Sequence, residues 1–536
     1  MTNSAAFEIS ADEKRNFREA LYNISRSFAI FEKKGKIVIR EIGTLFSSYD
    51  FEGEDDSRLL AVCPAFSLKN LGDKGFCRDY GLKYPYIGGS MAHGISTPEI
   101  SEALARGGML GFVGAGGQSP SWVKDAIERL QKSIPDLPFG FNLIHSPNEP
   151  ELEDILASMY INSGIKLIEA SAFLSITLPL VRYRVHGIHR TEDGKISTPN
   201  RIIAKISRFE VAAKFYAPPP EKMLKELVNR REITVEQAEL ASKIPMAQDV
   251  TAEADSGGHT DNRPALCLFP TISAMKDRLS AQHNYSVPLR CGIAGGLSTP
   301  HSVAAAFSMG AAYIMTGSVN QACVESGTSQ TVREMLTAVE QADVCMAPAG
   351  DMFEMGANVQ VLKRGTMFPM RAQKLYDLYK RNDSLDAISE SDRQNLEKSV
   401  FKTTLNEVWN NTRNFFLKRD PAQVERAERD PKHKMALVFR WYLGLSPKWA
   451  IEGNSERKID YQIWCGPAMG AFNEWAKGSH FEKVVNRKVA EVALNLLFGG
   501  AVTLRSQALK YQGIEPANIT MDYRPLMQQE IERYHR

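Results

Sequence analysis

The stretches Cys291-Gly-Ile-Ala-Gly-Gly296 and Ile314-Met-Thr-Gly-Ser318 decide the fold. Each is a short apolar run that ends in bare or small residues. Thr299-Pro300, a helix-start signal, follows the first. Paired loops of this kind after the last two strands of a (β/α)8 barrel form a phosphate cradle. Their backbone N–H groups and the following helix N-terminus attract an anion.

The same punctuation recurs upstream. Apolar runs are expected as strands at Tyr86–Met91, Met109–Val113, Phe139–Ile144, Ile165–Ala170 and Arg201–Ile206, and one just before Glu253. Val287–Cys291 and Ala311–Met315 complete the set. Helical patterns lie between them at Pro98–Arg106, Ser121–Gln131, Glu151–Asn162 and Thr234–Lys243. Thr97 is a good N-cap for the first of these, and Gly107-Gly108 ends it. Strands alternating with helices imply a parallel sheet with crossover helices. A doubly wound sheet patterns similarly, but eight units favour a closed (β/α)8 TIM barrel of the α/β class. Residues 81–365 are assigned to it.

Residues 1–80 form an N-terminal extension, in which Ser27–Phe31 and Ile37–Ile39 flank Glu32-Lys-Lys-Gly-Lys36 as a β-hairpin. Residues 366–536 read as a helical region, either a lid over the barrel or a carrier-docking surface. Within it Lys488–Phe498 is apolar on one helical face, and Gly499-Gly500 is expected to close that helix. Its many aromatics, Trp409, Trp441, Trp449, Trp464 and Trp475 among them, are expected chiefly to pack the helices.

Composition narrows the function classes. Among 536 residues, Lys+Arg 65 against Asp+Glu 63 gives no electrostatic support for a nucleic-acid role. Seven scattered cysteines without CxxC spacing argue for reduced thiols and against a disulfide scaffold or a zinc site. The N-terminal Met1–Ile9 lacks a signal-peptide pattern. No apolar run reaches the ~20 residues needed to span a bilayer. A soluble cytoplasmic protein with no membrane segment is expected, and a homodimer is the expectation from frequency alone.

Residues at the C-terminal ends of barrel strands point into the active site. In order these are Gly88-Gly89-Ser90-Met91-Ala92-His93, Gly114-Ala-Gly-Gly117, Asn142-Leu-Ile-His145, Glu169-Ala-Ser171, Lys205, Glu253-Ala-Asp-Ser-Gly-Gly258-His259-Thr-Asp261, and the two cradle loops with Gly295, Gly296, Thr316, Gly317 and Ser318. Small residues at so many ends clear room for a large flat ligand. With one phosphate and no carboxylate cluster for Mg²⁺, FMN is the expected cofactor, and no metal is expected. His259 is the catalytic candidate. Gly257-Gly258 strip bulk beside it, and an imidazole suits proton transfer or carbonyl polarisation near neutral pH. Asp255 and Asp261 are candidates to orient it; His93, His145, His186 and His189 compete with it.

Four longer stretches carry a resemblance. They are Tyr84-Pro-Tyr-Ile-Gly-Gly-Ser-Met-Ala-His-Gly-Ile95, Phe141-Asn-Leu-Ile-His-Ser-Pro-Asn-Glu-Pro150, Glu253-Ala-Asp-Ser-Gly-Gly-His-Thr-Asp-Asn-Arg-Pro264 and Val361-Leu-Lys-Arg-Gly-Thr-Met-Phe368. They resemble the nitronate monooxygenase (2-nitropropane dioxygenase) superfamily of FMN barrels. Within it they are most similar to the PfaD family, the trans-acting enoyl reductases of polyunsaturated fatty acid and polyketide synthases. The resemblance implies an FMN-dependent reductase of enoyl thioesters on acyl carrier protein, with NADPH or NADH as reductant. It implies that Met91 and Ala92 lie against the flavin ring and that Asn142 hydrogen-bonds it. It also implies that Gly295, Gly296, Gly317 and Ser318 hold the phosphate and that His259 stands beside the flavin. The alternatives are a nitronate monooxygenase-type FMN oxidase and a non-catalytic synthase subunit. No GxGxxG dinucleotide fingerprint occurs, so the nicotinamide is expected to reach the flavin without a Rossmann domain.

Overall fold

The computed structural model describes residues 11–42, 57–145, 150–514 and 523–535. The N-terminal Met1–Ile9 stretch and residues 146–149 of the Phe141–Pro150 motif lie outside them. A helix, Ala11–Tyr22, precedes a three-stranded antiparallel sheet of β1 (Ser27–Lys33), β2 (Lys36–Ile42) and β3 (Ser57–Cys63), ordered β2-β1-β3. The expected hairpin is the β1–β2 pair, with Lys33 opposite Lys36. Lys34 and Gly35 between them both take positive φ, 51° and 76°. That turn geometry matches the right-handed twist of the flanking strands.

The barrel is closed and all parallel. Its strands are β4 (Tyr86–Gly88), β5 (Leu110–Val113), β6 (Gly140–Ile144) and β7 (Leu167–Ser171). A small hairpin, β8 (His189–Arg190) and β9 (Ile196–Ser197), interrupts the order before β10 (Arg201–Ile206) and β11 (Asp249–Glu253). After β12 (Gly258–His259) come β13 (Arg290–Ala294) and β14 (Ile314–Thr316), and β14 pairs back onto β4. The seventh barrel strand therefore starts later than the expected Val287–Cys291. Pro288 lacks the N–H a ladder needs, and pairing begins at Arg290 opposite Asp249. A third sheet was not foreseen. β15 (Val344–Pro348) and β16 (Asn358–Leu362) are antiparallel, and β16 also pairs with β12.

The helix Lys74–Tyr80 closes the N-terminal end of the barrel. Its Phe76 stacks on Tyr313, ring centroids 4.3 Å apart, inside a cluster with Ile87, Leu110, Phe112, Ile203 and Met315. Around this plug Arg290, only 2% exposed, meets Asp73 at 3.1 Å, Asp249 at 3.3 Å, and Asp79. Tyr80 donates to the other Asp249 oxygen at 2.7 Å. A buried guanidinium shared among three carboxylates, one of which also accepts from Tyr80, offsets much of the desolvation the charges would otherwise suffer.

Beyond β16 the chain is helical. The helices are Phe368–Arg381, Leu405–Arg419, Pro421–Arg429 and Pro431–Glu452; the first and last meet through rings, with Phe368 on Tyr442 at 6.1 Å, and Tyr442 packs against Trp449 at 6.0 Å. Phe415 is the exception to the expected packing role, since its ring is exposed. One helix corrects the sequence reading twice. Val489–Tyr511 runs straight through Gly499-Gly500. A Cβ at Gly499 would sit 2.6 Å from Pro300 Cγ, and one at Gly500 would sit 2.7 Å from Val303 Cγ1. The glycines therefore mark a close approach to the helix Pro300–Ser308, not a C-cap. This helix is also long and apolar enough to cross a membrane, but 78% of its apolar window is buried within the protein. Its Arg505 donates to the carbonyls of Arg26 at 2.8 Å and Ala20 at 3.0 Å, tying the N-terminal segment to the C-terminal helix.

Candidate active site

The strand ends named from sequence converge at the C-terminal mouth of the barrel. Glu169, midway along β7, is fully buried, and Ser90 Oγ and Ser90 N both donate to its carboxylate. Lys205 Nζ lies 3.6 Å from Glu169 Oε2 and 3.5 Å from Glu253 Oε1. Burial alone would pull the Lys205 ammonium down, but the two carboxylates outweigh it and hold the lysine charged above its ordinary range. Asn142 Nδ2 donates to Glu169 O at 3.1 Å and Ser171 Oγ at 2.8 Å, so Oδ1 is the atom through which it can meet a ligand.

Gly89 is packed against Met315, with a Cβ there falling 2.9 Å from the thioether sulfur. Met91 and Ala92 are half-buried beside it, and Met91 N donates to Ser96 Oγ at 3.0 Å. Ser96, which no sequence signal marked, thus shapes the loop after β4.

The two cradle loops divide by role. Gly295 sits against the backbone of Ala254 and Asp255, so its bareness serves packing. Gly296 has φ +72° and nothing within 4 Å of where a Cβ would stand, and Gly317 also faces open space. The structure thus leaves room for an anion at Gly296 and Gly317, with Ser318 next in the chain. The helix N-terminus contributes less than expected. Ser302 Oγ accepts from the N–H groups of Ser298 and Thr299, both at 3.0 Å, and Thr299 Oγ1 accepts from Ser302 N at 3.3 Å. Pro300 has no N–H at all. Thr316 is also committed within the protein, its hydroxyl to Tyr86 at 2.5 Å and to Asn320 Nδ2 at 3.1 Å.

His259 is held in a strand. Its register opposite Val359 fixes the backbone, and Gly257 lies so close to the Cys465 backbone that a Cβ there would come within 2.9 Å. Trp464, from the same C-terminal segment, stacks on His93 at 5.3 Å and bridges to Val361. The side chain of His259 is about half exposed at the mouth, and its Nε2 lies 3.1 Å from Asp351 Oδ2. Asp255 and Asp261 do not orient it. Asp255 accepts from Asn262 Nδ2 at 2.9 Å and Gln360 Nε2 at 3.3 Å, and Asp261 is held by Ser207 and Arg208. The competing histidines also fall away. His145 is bound to Glu153 at 2.7 Å, His186 is exposed at a helix end and His189 is exposed on the β8–β9 hairpin. His93 lies half-buried under Trp464, where burial pulls its imidazole down against the nearby Asp351.

Known proteins place the chain. The nitronate monooxygenase family model matches residues 77–377, and the model of the acyl-carrier-protein S-malonyltransferase inserted helical domain matches residues 382–461. A polyunsaturated fatty acid synthase subunit of Thraustochytrium sp. is 45% identical over 83% of the chain. Polyketide biosynthesis protein PksE of Bacillus subtilis is 44% identical over 85% of it. The matched regions span 30% and 60% of those relatives' own lengths. The crystal structure of the enoyl reductase domain of MlnA, from the macrolactin biosynthesis cluster of Bacillus amyloliquefaciens, is 39% identical with a TM-score of 0.79. That match covers 82% of this chain and 99% of the domain. With more than half of its residues under the first model, the chain belongs to the nitronate monooxygenase family, on the branch shared with polyunsaturated fatty acid and polyketide synthase proteins.

Proposed function

We propose that this protein is an FMN-dependent enoyl reductase acting on enoyl thioesters carried by acyl carrier protein, with NADPH or NADH as reductant. The observation that carries the reading is the 39% identity to an enoyl reductase domain that the chain covers almost completely. The donor set supports it. Gly296, Gly317 and Ser318 would hold the phosphate in the open cradle. Met91, Ala92 and Asn142 Oδ1 would line the ring, with Gly89, Ser90, Glu169, Lys205, Gly258, Gly295 and Thr316 shaping the floor and rim beneath it. When bound, FMN supplies the hydride that adds to the β-carbon of the enoyl thioester.

The protein's own part is binding, orientation and a proton. His259, half exposed at the mouth, would pass a proton to the α-carbon as the β-carbon accepts the hydride, then regain one from solvent. Trp464 would cover the site and limit water. In this reading residues 81–365 form the catalytic barrel and 1–80 a structural extension. Residues 366–536 would form the lid and carrier-docking region, to which the inserted-helical-domain match lends support. The setting would be the cytoplasm, and a homodimer is the expected assembly.

The purified protein should be yellow with FMN and should oxidise NADPH in the presence of a crotonyl thioester, and His259→Ala should abolish that turnover. A colourless protein, or one inert toward NADPH and the thioester, overturns the reading. The family model over 77–377 favours one rival, a nitronate monooxygenase using O2. Oxygen uptake with an alkyl nitronate, indifferent to NADPH, would decide for it.

A further inference from the structure

The histidine's partner comes from an element outside the barrel. Asp351 lies on the loop between β15 and β16, and Asp351 Oδ2 approaches His259 Nε2 at 3.1 Å. Two contacts fix that loop. A Cβ at Gly350 would fall 3.0 Å from Leu443 Cβ on the helix Pro431–Glu452, so the backbone there lies directly on it. Phe353, fully buried, packs among Tyr376 at 5.6 Å, Tyr379 at 5.2 Å and Phe439 at 6.4 Å. The Phe353 carbonyl also closes the turn, accepting from Gly356 N at 3.1 Å. β12 is paired with β16, so both ends of the Asp351–His259 contact hang on one small sheet.

We infer that Asp351 is a positioning residue that anchors the His259 imidazole by Nε2, leaving Nδ1 to face the substrate's α-carbon. The inference rests on the enoyl reductase reading of His259. In the proton step the Nδ1–H bond breaks as the α-C–H bond forms, and the imidazole is left neutral, still hydrogen-bonded to Asp351. A carboxylate on the far nitrogen fixes the tautomer and stabilises the imidazolium, as in the general logic of acid–base pairs. The charges facing the pair agree. Burial would lower His259, but the hydrogen bond and charge of Asp351, with Glu253 on β11 adding, leave it raised overall. Asp351, whose side chain is 60% exposed, is correspondingly lowered by the hydrogen bond and charge of His259. His93 faces Asp351 from the loop after β4, while Asp255 and Asp261 are engaged elsewhere.

The test compares Asp351→Asn, Asp351→Glu and His259→Ala in the full-length, FMN-loaded protein. Two readouts are followed, NADPH oxidation with a crotonyl thioester as a function of pH, and the NMR titration of the His259 imidazole. For Asp351→Asn the alkaline limb of kcat should move to lower pH with KM little changed. The loss at about pH 8 should be on the order of tenfold, part of the ~10²–10⁴ that a positioned acid supplies. At about pH 5.5, where more of the imidazole is protonated even without Asp351, the loss should be smaller. Asp351→Glu should restore much of the lost activity, and the NMR titration of His259 should move down in the Asn variant. An unchanged His259 titration in Asp351→Asn, or an equal loss at every pH, overturns the inference. If His259→Ala retains turnover, the catalytic reading of His259 fails, and the NMR titration still decides whether Asp351 holds the ring.

Discussion

Replacing Lys205 by Met would leave two carboxylates facing each other in the barrel mouth. Glu169 is fully buried and the Lys205 side chain is 15% exposed, so water can replace little of the lost ammonium. At separations of 3.6 and 3.5 Å the gross attraction is roughly 4–5 kcal/mol per pair at an effective dielectric near 20. Most of it offsets desolvation, and removing one partner of such a buried set costs about 3–5 kcal/mol net. With a urea m-value above about 3 kcal/mol/M for a chain of this size, the flavin-free Lys205→Met protein should unfold earlier than the parent by up to roughly 1–1.7 M.

The pH dependence carries its own sign. Burial already pushes the Glu253 carboxyl up, with Lys205 pulling against it. Without Lys205 the folded-state Glu253 carboxyl would lie further above its unfolded range. Its neutral form then favours folding at low pH, and that contribution is lost as pH rises through the folded value. The deficit of Lys205→Met should therefore be largest at about pH 8 and shrink toward about pH 5. In the parent, Lys205 itself is raised in the folded state, so its stabilisation persists throughout that window and is lost only above the ordinary lysine range. Adding Glu169→Gln should recover more than half of the loss, because the amide oxygen can still accept from Ser90. A Lys205→Met protein within about 1 kcal/mol of the parent at neutral pH, or one whose deficit ignores pH, would refute the triad as described.

Gly296→Ala should separate cradle from fold. Positive φ at an L-residue costs roughly 1–2 kcal/mol of stability, but the methyl would occupy the space the cradle leaves open, so the rise in melting temperature on adding FMN should be largely lost. Unaltered FMN stabilisation in calorimetry would count against phosphate at that loop. At the opposite end of the barrel, Arg290→Met should lower global stability by about 3–5 kcal/mol, since Asp249 has no exposure at all. Flavin affinity per folded molecule should be unchanged. An Arg290→Met protein that denatures with the parent would mean the plug helix holds without its charges.

Much of the barrel was written locally. The runs at Leu110–Val113 and Arg201–Ile206 are strands because apolar stretches end in turn formers or N-caps, and Thr97 and Thr299 cap the following helices through their own hydroxyls. Those signals sit within one turn or one strand of the residues they govern. Gly499-Gly500 shows the limit of such reading. A glycine pair after an apolar helical face has the sequence of a C-cap, yet here it admits Pro300 and Val303 from a neighbouring helix. Nothing within the 489–511 segment itself distinguishes a helix that stops from one that is touched.

The site follows the same division. The positions of strand-end residues were legible because a barrel sends every strand end to one mouth, so Asn142, Glu169 and Lys205 needed only their strands to be placed there as candidates, and His259 only the segment after β11. Their partners were not legible, because each depends on a register set far away in sequence. Asp255 and Asp261 flank His259 in the chain but turn to Asn262 and Arg208, since β12 runs antiparallel to β16 and presents the imidazole to the β15–β16 loop instead. The choice of Asp351 over its rivals is therefore made by Val359 opposite His259 and by Phe353 buried among the rings of the helical region. Even the cradle obeys this. Gly295 and Gly296 are identical in sequence, and only the Ala254-Asp255 backbone just after β11, pressed against one, and the open space beside the other assign packing to the first and ligand room to the second.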